Sequence, residues 1–245
     1  MKDLFSEHSK LYSQFRPTYP SALYEFIFSH VHTFNTAWDC GTGNGQSARV
    51  LSTRFKKVLA TDISAKQIEQ AFKADTIFYS VCSERTNFAD RSLDLVTVAQ
   101  AIHWFDINAF YQEVHRLSKP NAILAVWGYS LLSITPEIDP LLYNFYRNVV
   151  GSYWDKERHL IDEQYKTIPF PFEEIAAPPF DFSFEWTIEQ LAGYLTTWSA
   201  VRKYMQVNEI NPVKKLIEEI SPWWGEGSMR VTFPLFLRMG RVNSM

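Results

Sequence analysis

The stretch WDCGTGNG, residues 38–45, carries three glycines within five positions, directly after an apolar run and an aspartate. Such a loop lets a large polar molecule lie against bare backbone. Three kinds of ligand use loops of this type: a nucleotide phosphate, a dinucleotide, and a molecule with no phosphate. A phosphate cradle ends in Gly-Lys-Ser/Thr, which this chain lacks here. A dinucleotide loop reads G-x-G-x-x-G, its third glycine letting helix and strand pack closely. Here the run is G-x-G-x-G, and Gln46 occupies the place of that third glycine. Asp39, at the tip of the preceding strand candidate, is poorly placed against a pyrophosphate and well placed to accept from an ammonium group. Asp62 ends the next strand candidate. A carboxylate there can accept both hydroxyls of a ribose in a two-pronged hydrogen bond. It equally suits the start of the helix that follows.

Further along, AQAIHWFD places His103 and Trp104 just after a fourth strand candidate. His103 is a candidate general base, or else a ring that fixes its own loop. Tyr12, Arg16 and Tyr19 lie on an N-terminal arm able to close over a bound molecule. Trp198, Arg202 and Tyr204 fall at helical spacing, and the Arg202 fork suits an acidic substrate. Cys40 and Cys82 form no zinc spacing, so no metal is expected; they read as small buried residues.

These residues need a scaffold, and the pattern supplies one. Strand candidates occupy 36–40, 57–63, 76–82, 92–100 and 122–130, several as near-continuous apolar runs suited to burial on both faces. Helical patterns alternate with them: GQSARVLSTRF, SAKQIEQAFKA with Ser64 as N-cap, and DINAFYQEVHRLSK stopping at Pro120. The second should bury Ile68, Ala71 and Phe72. Alternating β and α units imply a mostly parallel sheet with helices on both faces. The segment 1–34 supplies an arm and a helix covering the site, and 35–130 the core. Residues 131–228 form a mostly helical cap with a late strand near 180–187 and one roof helix across IEQLAGYLTTWSAVRKYM. Residues 229–245 form a C-terminal edge strand.

The loop DCGTGNG with Asp62 resembles the first motifs of Rossmann-like class I S-adenosylmethionine methyltransferases, whose sheet has seven strands. HWFD, LYSQFRPTYP and TTWSAVRKYM resemble a small-molecule subgroup that includes trans-aconitate methyltransferase-like proteins. The resemblance implies that Gly41, Thr42 and Gly43 admit the methionyl part of the cofactor. Asp39 would hold its amino group, directly or through water, and Asp62 with Ile63 its ribose. It further implies Ser83 and Glu84 beside the adenine, Gln100, Tyr12 and Arg16 completing the cofactor site, and Tyr19, His103, Trp104, Trp198 and Arg202 toward the substrate. The expected product is S-adenosylhomocysteine.

Composition narrows the function classes. A 245-residue chain, 46% hydrophobic and 21% charged, is ordinary for a globular protein. Net charge is -3, so no global basic field draws it to nucleic acid. No apolar run reaches the roughly 18–20 residues that span a bilayer, and the N-terminus lacks a signal-peptide pattern, so a cytoplasmic setting is expected. Aromatic content is 16%, ample for a lined pocket. The reading is methyl transfer to a small molecule, by preference a carboxylate of an organic acid. A phenol or amine acceptor, or a non-catalytic S-adenosylmethionine-binding protein on the same fold, are the alternatives. Gln46 and Asp39 argue against a nicotinamide oxidoreductase. Oligomeric state has no signal in the sequence.

Overall fold

The computed structural model describes residues 15–242. Helix α1 (Ser21–Ser29) precedes an alternating core: β1 (Thr36–Cys40), α2 (Gln46–Leu51), β2 (Lys57–Asp62), α3 (Ala65–Glu69), β3 (Ile77–Val81), β4 (Leu93–Ala99), α4 (Ile107–Leu117) and β5 (Ser118–Tyr129). The cap follows with α5 (Asp139–Asn144), α6 (Arg158–Asp162), β6 (Glu173–Glu174), β7 (Ser183–Trp186), α7 (Ile188–Thr196), α8 (Ser199–Asn208), α9 (Pro212–Trp224) and β8 (Met229–Thr232). The chain returns to the core as β9 (Leu235–Val242).

The main sheet has seven strands in the order β3-β2-β1-β4-β5-β9-β6. Strands β1 to β5 are parallel, and β9 runs antiparallel beside β5 from Ala122↔Val242 to Tyr129↔Leu235. Side chains alternate across the sheet as the strand period of two demands. Ala37, Leu95, Ile123 and Ala125 pack on one face with α1 and α2. Trp38, Val96, Leu124 and Val126 pack on the other with Phe110 and Val114 of α4. Strand order reverses at β1, which has β2 on one side and β4 on the other, so a crevice is expected at their carboxyl ends.

Several elements depart from the sequence reading. The run 229–240 is two strands, because Pro234 has no N–H to continue a ladder. Its first part pairs with β7, and its second lies inside the main sheet, where β6 is the edge. The candidate 180–187 therefore sits in the cap hairpin: Phe182, Phe184 and Trp186, on one face, all pack around Phe233. The helix after Ser64 ends at Glu69 because the Phe72 amide donates to the Asn44 carbonyl of the glycine loop, leaving the Phe72 side chain 40% exposed. The roof helix is two helices. Thr197 turns its hydroxyl back onto Tyr194 O at 2.6 Å while accepting from Arg16 Nε at 3.1 Å, and α8 restarts beyond Trp198. Trp198 is thus a buried cap-core residue.

Candidate active site

The glycine loop is held by main-chain hydrogen bonds. Gly41 N and Thr42 N both donate to Thr61 O, at 2.8 and 2.9 Å, pinning the loop to the end of β2. Gly41 has φ +71, and a Cβ there would lie 2.6 Å from that of Ala101, so backbone and the turn after β4 touch directly. Gly43, at φ +54, would point a Cβ into open space.

Asp62 is aimed by the same backbone. Gly43 N donates to its Oδ2 at 2.8 Å and Ser64 N to its Oδ1 at 2.9 Å. A carboxylate oriented in this way suits ligand hydroxyls as donors. Asp39 has a different setting. It is 1% exposed, and its oxygens accept from Thr42 Oγ1 at 2.6 Å and Thr97 Oγ1 at 2.8 Å. Burial pushes its carboxyl up to about 6, against the lowering effect of those hydroxyls. Asp39 therefore braces the loop from behind. Glu84 is also buried and occupied, accepting from Asp106 N at 2.8 Å at the start of α4. Ile63 and Ser83 are partly exposed at the ends of β2 and β3. Tyr12 lies outside the described residues.

A second feature lies after β4. Gln100, at φ +54, clamps Tyr129 by accepting from its N–H at 2.9 Å and donating to its carbonyl at 3.1 Å. The chain then makes a short 3-10 turn, Ile102–Trp104. Above it is a cavity of about 60 Å³ whose walls are Arg16, Gln100, His103 and Trp104 below, and Trp154, Asp155, Arg158, Ile161, Trp198 and Ser199 from the cap. That volume admits a few heavy atoms, on the scale of about 10–15 Å³ for one water.

Charge in this cavity is mostly positive. Arg16 donates to Thr197 Oγ1 and, at 2.9 Å, to Tyr129 OH, and stacks over Tyr194. Arg158 donates from Nε to Tyr146 OH at 2.8 Å and lies 4.7 Å above the Trp154 ring. Asp155 is paired with Lys203 at 2.7 Å. His103 is 7% exposed; burial first, and Arg158 second, lower its pKa to about 3, so the ring is neutral near pH 7. Its Nδ1 lies 2.9 Å from Tyr165 OH. Tyr165 and Gln164 both adopt left-handed backbone, φ +58 and +55, a conformation costing about 1–2 kcal/mol per non-glycine residue. Arg238 holds that loop by donating to Tyr165 O at 2.9 Å and to Ile168 O.

Of the residues read from sequence, the structure brings Arg16, Gln100, His103, Trp104 and Trp198 to one cavity. Arg202 does not line it, and Tyr19 packs instead into the cap core, stacked on Phe182 at 5.7 Å. Trp154, Asp155, Arg158 and Tyr165 escaped the sequence reading. Arg158 stands in DKERH, where it reads as one charge on a solvated face. Among the described residues no group of three His, Cys, Asp or Glu side chains is placed to hold a metal, and no helix is long and apolar enough to cross a membrane.

Comparison with known proteins gives a consistent result. Residues 38–126 match the family model described as a methyltransferase domain. A Dictyostelium discoideum protein that bears a methyltransferase name is 32% identical over 249 residues, covering 98% of this chain and 95% of its own. The methyltransferase cfoB of Aspergillus candidus is 28% identical, with 96% and 84% covered. A solved structure from Anaeromyxobacter dehalogenans, named as a type II methyltransferase, superposes with a TM-score of 0.86 at 35% identity, covering 94% of this chain and all of that one.

Proposed function

The chain belongs to the methyltransferase family, with the class I Rossmann-like fold, and on that premise we propose that it uses S-adenosylmethionine to methylate a carboxylate of a small organic acid. The cofactor half of the reading is supported by Asp62, a carboxylate at the end of β2 that backbone N–H groups of Gly43 and Ser64 aim beside the glycine loop, where it can accept from ribose hydroxyls. Gly43, with open space where a side chain would stand, gives the remainder of the cofactor access to the backbone, and Gly41 lets the turn after β4 close against the loop. When bound, the cofactor supplies an electrophilic methyl group on a sulfonium sulfur.

One observation carries the acceptor half: a small cavity walled by Arg16, Arg158 and a neutral His103, beside the turn that touches the glycine loop. The terminal N–H groups of Arg158 carry no hydrogen bond among the described residues, and a guanidinium fork matches a carboxylate. Trp104, Trp154 and Trp198 limit the water that can share the space. A carboxylate is already nucleophilic at neutral pH, so these residues need only hold it in line. Positioning of this kind is worth up to about 7–11 kcal/mol of barrier. A hydroxyl or ammonium acceptor would need a base. The neutral ring with a strongly lowered pKa is a poor one. The positive cavity also agrees with the resemblance to trans-aconitate methyltransferase-like proteins.

The test is turnover with isotopically labelled S-adenosylmethionine against matched small carboxylates, phenols and amines. Methyl esters should form from carboxylates. Turnover of phenols or amines alone would overturn the acceptor assignment. Cofactor binding with no turnover on any class, or on a metabolite extract, would make the protein a non-catalytic binder.

A further inference from the structure

We propose that Tyr165 is a positioning residue that fixes His103 with its ring proton on Nε2, so that His103 meets the acceptor as a hydrogen-bond donor. The inference rests on the methyltransferase reading above for what the donor meets. It rests on the geometry alone for the tautomer. The phenol of Tyr165 is 1% exposed, and among the described residues its one hydrogen-bond partner is His103 Nδ1, at 2.9 Å. Burial raises the ionisation of that phenol far above neutrality, so it keeps its proton. A buried O–H needs an acceptor, and the Nδ1 lone pair is the one in reach. Nδ1 can accept only when the ring proton sits on Nε2. The opposite tautomer would send Nδ1–H to the phenolic oxygen and leave the phenol's own proton buried without a partner.

The other ring nitrogen faces the cavity. Nε2 makes no hydrogen bond within the described residues, is not among the sealed unpartnered atoms, and belongs to a ring that lines the cavity wall. The loop carrying Tyr165 holds two consecutive left-handed non-glycine residues, Gln164 and Tyr165. Backbone in sparsely populated conformations concentrates where it serves function. Here it delivers the phenol ring onto His103, 5.9 Å between centroids and 28° from parallel, with Phe236 edge-on behind it at 5.1 Å. The charged groups facing the ring are Arg158 and Arg16, both cationic, and Asp155, which is paired with Lys203. Burial first, and the Arg158 cation second, hold the imidazole neutral, in accord with its lowered pKa. An N–H from His103 and the N–H groups of Arg158 then present donors side by side, while among the described residues the one carboxylate in the wall, Asp155, is engaged by Lys203. Paired donors beside a guanidinium favour an oxygen-rich anion over an ammonium group, which Arg158 would repel.

The test reads protons directly. The full chain, labelled with nitrogen-15 at histidine, is examined by long-range proton–nitrogen correlation between about pH 5 and 8, the range in which an ordinary histidine titrates. His103→Gln assigns the ring. The expected result is an Nε2–H tautomer that does not titrate in this range. In Tyr165→Phe, which removes one oxygen and keeps the packing, the two nitrogen shifts should move toward each other as both tautomers become populated. An Nδ1–H ring in the wild type, a ring that titrates within the range, or a Tyr165→Phe protein with an unchanged tautomer would each overturn the proposal. The readout needs no methyl transfer, so its failure and the failure of the carboxylate assignment are separately visible.

Discussion

At the ends of β1 and β2 the polypeptide grips itself through main-chain groups: Gly41, Thr42, Gly43 and Ser64 all donate backbone N–H groups, to Thr61 O or to the Asp62 carboxylate. Around the neighbouring cavity the grip comes from side chains. Arg16 reaches Thr197 and Tyr129, Arg158 reaches Tyr146, and Tyr165 reaches His103. A main-chain cradle changes little when side chains change, apart from the glycines themselves. A side-chain cavity can be rebuilt by a handful of substitutions. One fold can thus keep a fixed glycine-loop end while the side-chain cavity beside it is reshaped.

The comparison is broken most severely by removing the cap core that carries the cavity. Trp198 is 3% exposed and meets Phe145, Tyr146, Trp154 and Tyr194. Trp198→Ala should cost about 3–5 kcal/mol in chemical denaturation and abolish acceptor turnover. Gly41→Ala comes next. It combines left-handed strain of about 1–2 kcal/mol with a clash against Ala101, so cofactor affinity and stability should fall together, read by calorimetry and melting. Gly43→Ala sharpens the contrast. With open space ahead of it, the variant should lose only about 1–2 kcal/mol of stability, while cofactor binding suffers disproportionately.

At the acceptor end, Arg158→Gln should raise the acceptor KM by about 10- to 100-fold, equivalent to one charge-assisted hydrogen bond of about 1.5–3 kcal/mol. Cofactor affinity should be unchanged. The smallest effect concerns pH. His103 has a folded pKa of about 3 against an ordinary 6.5, so its neutral burial favours the fold fully above pH 6.5 and loses that advantage as pH falls toward 3. The slope is at most about 1.4 kcal/mol per pH unit. Asp39, raised to about 6, works in the opposite sense between its ordinary 3.8 and 6. The two partly cancel. His103→Gln should expose the Asp39 slope, with stability rising as pH falls through 6 in denaturant titrations.

The glycine loop and its strands are legible in the sequence because their requirements are local. Positive φ at Gly41, Gly43 and Gly45 demands glycine, and the parallel strands announce themselves as short apolar runs. The posture of Asp39 is not legible, since burial behind the loop and the Thr97 hydroxyl come from pairing with β4. The cavity was half legible. His103, Trp104 and Arg16 stood out by type, whereas Arg158 and Tyr165 gain meaning only when α6 and the loop after it fold over the turn at 102–104. Left-handed backbone at Gln164 and Tyr165 has no glycine to betray it. The break at Trp198 was hidden because apolar positions continue at helical spacing through it.

The most direct test of the central claim is calorimetric titration of the wild type and Asp62→Ala with S-adenosylmethionine, S-adenosylhomocysteine and NADH. The account predicts binding of the first two only, weakened about 100-fold or more by the substitution as two charge-assisted hydrogen bonds are lost. Preferential binding of NADH, or affinity for S-adenosylhomocysteine that is indifferent to Asp62→Ala, would contradict it.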